Sequence, residues 1–147
     1  MKTVKTIEGQ RGASLVEAAL TSLLFVVFMF AVFEGGRFLH IQQTLTNAAR
    51  EGARLSVAPL SGTSTLASNG EVTARVQTFL DAAGLNGASA TVAVNQAFDP
   101  DPSDTDVTVY TLVTVTVPYR VMTIPLFTNL EVTLRGRAMM RNETNLE

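Results

Sequence analysis

The sequence contains no cysteine, no tryptophan, a single histidine and few charges. Without Cys there is no disulfide, no thiolate metal site and no Cys nucleophile. A single His excludes a metal site built on several imidazoles. The lack of Cys leaves the compartment open, because a protein outside the cytoplasm can simply lack disulfides. Charged residues make up 16% of the 147, where about a quarter is usual for a soluble domain. Eleven Lys and Arg against thirteen Asp and Glu leave a net charge of -2, which argues against a nucleic-acid binder. An acidic disordered chain is excluded by the 46% of hydrophobic residues. The length gives room for one modest domain, not two. No Gly-rich phosphate loop or nucleophile elbow is present, and no cofactor is implied.

The apolar residues are concentrated. Residues 18–33 carry no charge, and extended back to Ala13 the run is 21 residues with Glu17 as its one charge. As a helix this run spans roughly 30 Å, the thickness of a hydrocarbon core. A buried core helix is the competing reading, but so short a chain has little other material to surround one. Lys2, Lys5 and Arg11 precede the run, opposed only by Glu8. The positive-inside rule then puts the N-terminus in the cytoplasm and the residues after Glu34 outside it. A cleaved secretory signal would have a shorter apolar core and a small-x-small cleavage site. Val32, Phe33, Glu34 and Gly35 make a poor one, so the segment is read as retained. Glu17 calls for a partner, since a carboxylate at the centre of a membrane helix costs roughly 2.5–3.5 kcal/mol, and less near its end. Snorkelling to the interface is the alternative.

After Glu34-Gly35-Gly36-Arg37, where charge returns, the residues Phe38, Ile41, Leu45, Ala48, Ala49 and Gly52 recur at helical spacing. The helix is expected to continue, amphipathic, to about Val57, before Pro59. Ala48, Ala49, Gly52 and Ala53 would let another backbone approach closely. Gly35-Gly36 is expected to kink or melt the helix, since each Gly costs about 1 kcal/mol there.

These blocks resemble the TadE-like pseudopilins of the tight-adherence (Tad/Flp) pilus system. The family pattern is a short basic leader, R-G-x-x-x-V-E, a Leu/Phe-rich helix, E-F-G-R, and a Q-x-L-x-N-A-A-R-E-G-A-R block. Here the blocks are Arg11 to Glu17, Glu34 to Arg37, and Gln43 to Arg54. The run Asn47-Ala48-Ala49-Arg50-Glu51-Gly52-Ala53-Arg54 matches in full, whereas Gly35 stands where the family usually has an aromatic or Leu. The resemblance covers about Arg11 to Arg54 strongly, and the rest only in pattern.

The resemblance implies cleavage by a prepilin peptidase between Gly12 and Ala13, which makes Glu17 the fifth residue of the mature chain. The leader, residues 1–12, holds three cations and one Glu, net +2. Cleavage creates an α-amine, pKa near ~8, and in a bundle of such helices Glu17 of one subunit can neutralise the amine of its neighbour. The implied partners are other pilin or pseudopilin subunits, the peptidase, the assembly platform of the bacterial inner membrane and the lipid bilayer, with no nucleic acid. The implied protein is single-pass, extracellular in a pilus after assembly, and acts in pilus assembly or adhesion. A membrane-tethered binding module outside any filament is the alternative, and an enzyme is disfavoured.

Residues 35–147 are expected to form an extracytoplasmic α+β domain on the pilin plan, following a membrane helix over 13–34. Residues 59–70 are a loop by composition. Ser68 or Asn69 caps a helix over Glu71 to Ala83, apolar at Val72, Val76, Phe79, Leu80 and Ala83, and Gly84 ends it. Three β-rich segments follow: 90–97, 107–117 and 130–141. The second sets Val107, Val109, Thr111, Val113, Val115 and Val117 on one face. The third sets Leu130, Val132, Leu134, Ala138 and Met140 opposite Glu131, Thr133, Arg135, Arg137 and Arg141. Pro118 and Pro125 are expected between the last two strands. Asp99, Asp101, Asp104 and Asp106 form the one carboxylate cluster that could take Ca²⁺. Pro100 and Pro102 lock its backbone and EF-hand spacing is absent, so a solvated acidic turn is the better reading. Arg135, Arg137 and Arg141 read first as a solvated sheet face, and His40 as an exposed helix residue. Asn142-Glu143-Thr144 matches a glycosylation sequon, a common chance match.

Overall fold

The computed structural model describes residues 8–58, 65–103, 109–121 and 131–142. In chain order they form α1 (Glu8–Val57), α2 (Asn69–Ala82), a 3-10 turn (Gly87–Ser89), β1 (Thr91–Phe98), β2 (Tyr110–Arg120) and β3 (Glu131–Arg141). The architecture is α+β, as expected. The chain divides into two units, residues 1–38 and 39–147, and α1 contributes to both.

In the first unit, α1 exposes its large apolar side chains, Leu20, Leu24, Phe25, Phe28 and Phe33 among them. The helix is long and apolar enough to cross a membrane, with an 18-residue window of mean hydropathy 2.4, none of it buried within the protein. The core-helix reading fails on that observation. Helical structure continues through Gly35 and Gly36, so the expected melting there does not occur. Once nucleated on both sides, a helix carries two weak residues at the modest cost of propagation.

In the second unit, α1 buries Ile41, Thr44, Leu45, Ala48, Ala49, Ala53, Ser56 and Val57 in a stripe at helical spacing. Against it pack Val72, Val76 and Leu80 of α2, and Val113, Val115, Tyr119 and Leu134 of the sheet. Thr44 and Ser56 donate their hydroxyls to the carbonyls of His40 (2.9 Å) and Ala53 (2.8 Å), so their burial leaves no donor unpaired.

α2 starts at a capping box. Ser68 Oγ accepts from the Glu71 amide at 3.3 Å, and the Ser68 amide donates to Glu71 Oε2 at 2.8 Å. The two donors of Ser68 hold the Glu71 carboxyl below its usual range. At the other end Gly84 has φ +77°, which lets the Leu85 amide reach the Leu80 carbonyl at 2.9 Å. This is the closing bond of a Schellman turn, and it calls for glycine. The expected apolar face holds at Val72, Val76 and Leu80, with Phe79 half-buried; Ala83, however, is exposed, because it is already the C-cap.

The sheet is an antiparallel meander, β1-β2-β3. Thr91 pairs with Thr116 and Val94 with Val113; Thr114 pairs with Arg137 and Val117 with Leu134. Thr111, Val113 and Val115 of β2 and Leu134 and Gly136 of β3 turn to the core, the faces that the alternation implied. Pro118 does not lie between strands: it sits within β2, opposite Thr133. The β1–β2 ladder ends at Thr116, so β2 is an edge on that side by Pro118, and the missing N–H breaks no ladder. Pro125, Leu130 and Val107 lie outside the described residues.

Candidate functional site

The motif residues of α1 fall into two groups once their surroundings are known. The first is consumed by the fold. Ala48, Ala49 and Ala53 are fully buried. At Gly52 a Cβ would stand 2.6 Å from Val76 Cγ2, 3.3 Å from Val72 Cγ1 and 3.4 Å from Val113 Cγ1. The close approach expected of these small residues is therefore made to α2 and β2 of the same chain. Glu51 joins this group. Its Oε1 accepts from Arg75 Nη2 of α2 at 2.7 Å and from Arg54 Nη2 at 3.0 Å, while Oε2 accepts from Arg54 Nε at 3.2 Å. The Arg54 and Arg75 hydrogen bonds lower the Glu51 carboxyl to about 2, against the opposing effect of burial. Arg54, held chiefly by its hydrogen bond to Glu51, is raised.

The second group lies outside the buried core of the described residues. Gly12 lies in the early turns of α1, and a Cβ there would meet nothing within 4 Å. Ala13 and Glu17 are exposed. Ser14, Glu17, Ala18 and Thr21 share one face at spacings of three and four, a short and polar stripe on an otherwise Phe- and Leu-rich helix. Gly36 is exposed and a Cβ there would also meet open space; Glu34 is half-buried and Arg37 exposed. Asn47 and Arg50 face away from the core and, with Gln43 and Thr46, line a shallow polar groove on α1.

Of the acidic cluster, Asp104 and Asp106 lie outside the described residues. Asp99 Oδ1 accepts from the Asp101 amide at 2.9 Å, and Asp101 Oδ1 from the Ser103 amide at 3.1 Å and the Ser103 hydroxyl at 2.5 Å. These Ser103 donors lower the Asp101 carboxyl. The Oδ1 atom of each carboxylate thus takes part in a turn-forming bond. His40 is exposed, as are Arg135, Arg137 and Arg141 on β3.

Sequence reasoning missed three features. Gly136 has the tightest setting of the described glycines after its own fashion: a Cβ would overlap the backbone of Leu45 and Thr46 in α1. A glycine inside a strong strand pattern signals such an approach. Gln42 Nε2 donates to the Arg135 carbonyl at 2.8 Å and so ties α1 to β3. Asn142, 4% exposed, accepts from Thr111 Oγ1 at 2.7 Å and donates to the Gln96 carbonyl at 2.9 Å. Gln96 Nε2 in turn donates to the Ala67 carbonyl at 2.6 Å. The sequon asparagine is therefore a buried bridge across three strands.

No curated protein and no solved structure matches the chain. Residues 12–54, the stretch that holds both groups of motif residues, match the family model described as TadE-like protein.

Proposed function

We propose that the chain is a pseudopilin of a Tad-type pilus. It spans the inner membrane once through α1, with its N-terminus in the cytoplasm and residues 35–147 outside. A prepilin peptidase cleaves it after Gly12. The mature chain then packs by its helix against other pilin or pseudopilin subunits on the assembly platform. Within such a bundle the Glu17 carboxylate meets the new α-amine of a neighbour, which removes the cost of burying either charge alone.

One observation carries this reading: the stretch that matches the TadE-like model holds two residues, Gly12 and Glu17, that are exposed and lie outside the core of the described residues. The small side chains of Ser14, Ala18 and Thr21 beside Glu17 suit close helix packing in lipid, where small and hydroxylic residues favour association.

Intact mass spectrometry of protein from native membranes and from sheared filaments tests the reading. A chain beginning at Ala13, present in both fractions, is expected. A chain that keeps residues 1–12 and is absent from filaments would refute it and favour a tethered binding module. Glu17→Ala should insert normally yet enter filaments poorly, and normal pili in that variant would sink the role of Glu17.

A further inference from the structure

The sheet has a second face, turned away from the core. By register its rows are Thr91, Thr116 and Arg135; Ala93, Thr114 and Arg137; Asn95, Leu112 and Met139; then Phe98, Tyr110 and Arg141. Arg135, Arg137 and Arg141 form a column on β3, all exposed. None of them has a carboxylate within ion-pair distance among the described residues; the nearby Glu131 is taken by Arg120, at 3.5 Å. Between the arginines lies a notch of about 310 Å³, lined by Phe98, Leu112, Arg137, Ala138 and Met139, with Met139 48% exposed.

This is not the composition of a merely solvated face. Lysine is the usual solubilising cation at a sheet edge, yet the sequence has no Lys after Lys5. Arginine, methionine and aromatic residues are those enriched in protein interfaces.

The same unit carries the complementary surface. Asp99-Pro100-Asp101-Pro102 follows β1 and is exposed throughout. It alternates carboxylate and ring, while the outer face of β3 reads Arg135, Arg137, Met139 and Arg141, with Met139 set between two guanidinium groups. Its hydrogen bonds hold it in shape before any contact, which lowers the ordering cost of binding.

We infer that the outer face of β3 docks the Asp99–Pro102 turn of a second copy of this chain, with the carboxylates on Arg137 and Arg141 and a proline ring in the notch. The two patches differ, so the contact joins unlike surfaces, either repeating head-to-tail from copy to copy or closing reciprocally with each turn on the other copy's β3 face. Two arginine columns facing each other would repel, which disfavours a contact of this face with itself. The inference goes beyond the pilus reading and does not depend on leader cleavage.

The absence of native Cys makes the test direct. Two differently tagged full-length copies are co-expressed, one with Thr114→Cys beside Arg137, the other with Ser103→Cys beside the turn. A short bis-maleimide is added to their membranes, because an Arg–Asp pair holds the backbones too far apart for a disulfide. The mixed product should exceed either homodimer on the order of tenfold, the contact raising the local concentration of the matched pair. Arg137→Glu with Arg141→Glu in the first copy should abolish that excess, and Asp99→Arg with Asp101→Arg in the second should restore it. Restoration cannot come from a misfolded first copy. Mixed product no more abundant than homodimer, or excess untouched by the charge reversal, would overturn the inference. The uncleaved chain gives the same readout, so failure of the peptidase reading stays distinguishable from failure of this contact.

Discussion

Replacing Gly136 by alanine probes the closest approach in the second unit. The new Cβ would overlap the backbone of Leu45 and Thr46, and a helix backbone cannot rotate out of the way as a side chain can. β3 must withdraw from α1, which also stretches the 2.8 Å bond from Gln42 to the Arg135 carbonyl. Overpacking costs about 1–3 kcal/mol, and an unyielding obstacle places this variant near ~3 kcal/mol. Gly52→Ala is the internal comparison. Its Cβ meets only methyl groups, the nearest at 2.6 Å on Val76. Alanine also recovers about 1 kcal/mol of helix propensity. The net loss at Gly52 should therefore be about 1 kcal/mol. Denaturant unfolding of the full chain in micelles, followed by tyrosine fluorescence, measures both. With no Trp to mask it, the signal includes Tyr119, which is 4% exposed in the core. The order expected is Gly136→Ala least stable, then Gly52→Ala, then the parent. A Gly136→Ala protein within about 0.5 kcal/mol of the parent, or a Gly52→Ala protein less stable than the Gly136→Ala protein, would refute the reasoning.

Two further outcomes follow from the polar contacts. Glu51 is lowered to about 2 when folded, from a model-peptide 4.5. Its contribution is thus present above about pH 4.5 and lost as the pH falls through the folded value near 2. Its arginine partners are more than half exposed, so Glu51→Gln should cost only about 1 kcal/mol at pH 7. That variant should also flatten the acid limb of a stability–pH curve, and an unchanged limb would show that other carboxylates carry it. Asn142→Ala leaves the Thr111 hydroxyl and the Gln96 carbonyl without their partner and should cost about 2–3 kcal/mol. The same denaturant titration measures it, and a loss below about 0.5 kcal/mol would mean that water replaces the bridge.

Much of this fold was legible because its patterns are periodic and its ends are marked. The α1 stripe from Ile41 to Val57 and the alternation over Thr111–Val115 each declare a buried face. Ser68 with Glu71, and Gly84, mark the bounds of α2 by local chemistry alone. The misreadings share one cause, a local rule overridden by neighbours. Gly35-Gly36 are poor helix residues, but the helix on both sides carries them. Pro118 is a poor strand residue, but β1 ends two positions earlier in register. Ala83 has helical periodicity, yet the turn closes there. In the candidate site, the motif announced which α1 residues matter without saying why. Whether Glu51 answers to a second subunit or to Arg75 is a question of tertiary distance, which spacing does not encode. The Asn142 bridge joins positions 31 and 46 residues away, and no short window contains it.

The meander has a bearing on how the chain is made. Each ladder joins a strand to the one just before it in sequence, so β2 and β3 each find a hydrogen-bonding partner already synthesised. The two helices that floor the sheet come earlier still. The apolar stripe of α1, by contrast, stays uncovered on its sheet side until β2 and β3 arrive. The last strand to arrive is also the one whose glycine must seat against α1. The fit that discriminates most sharply between a correct and an incorrect register is therefore tested only when the sheet is complete.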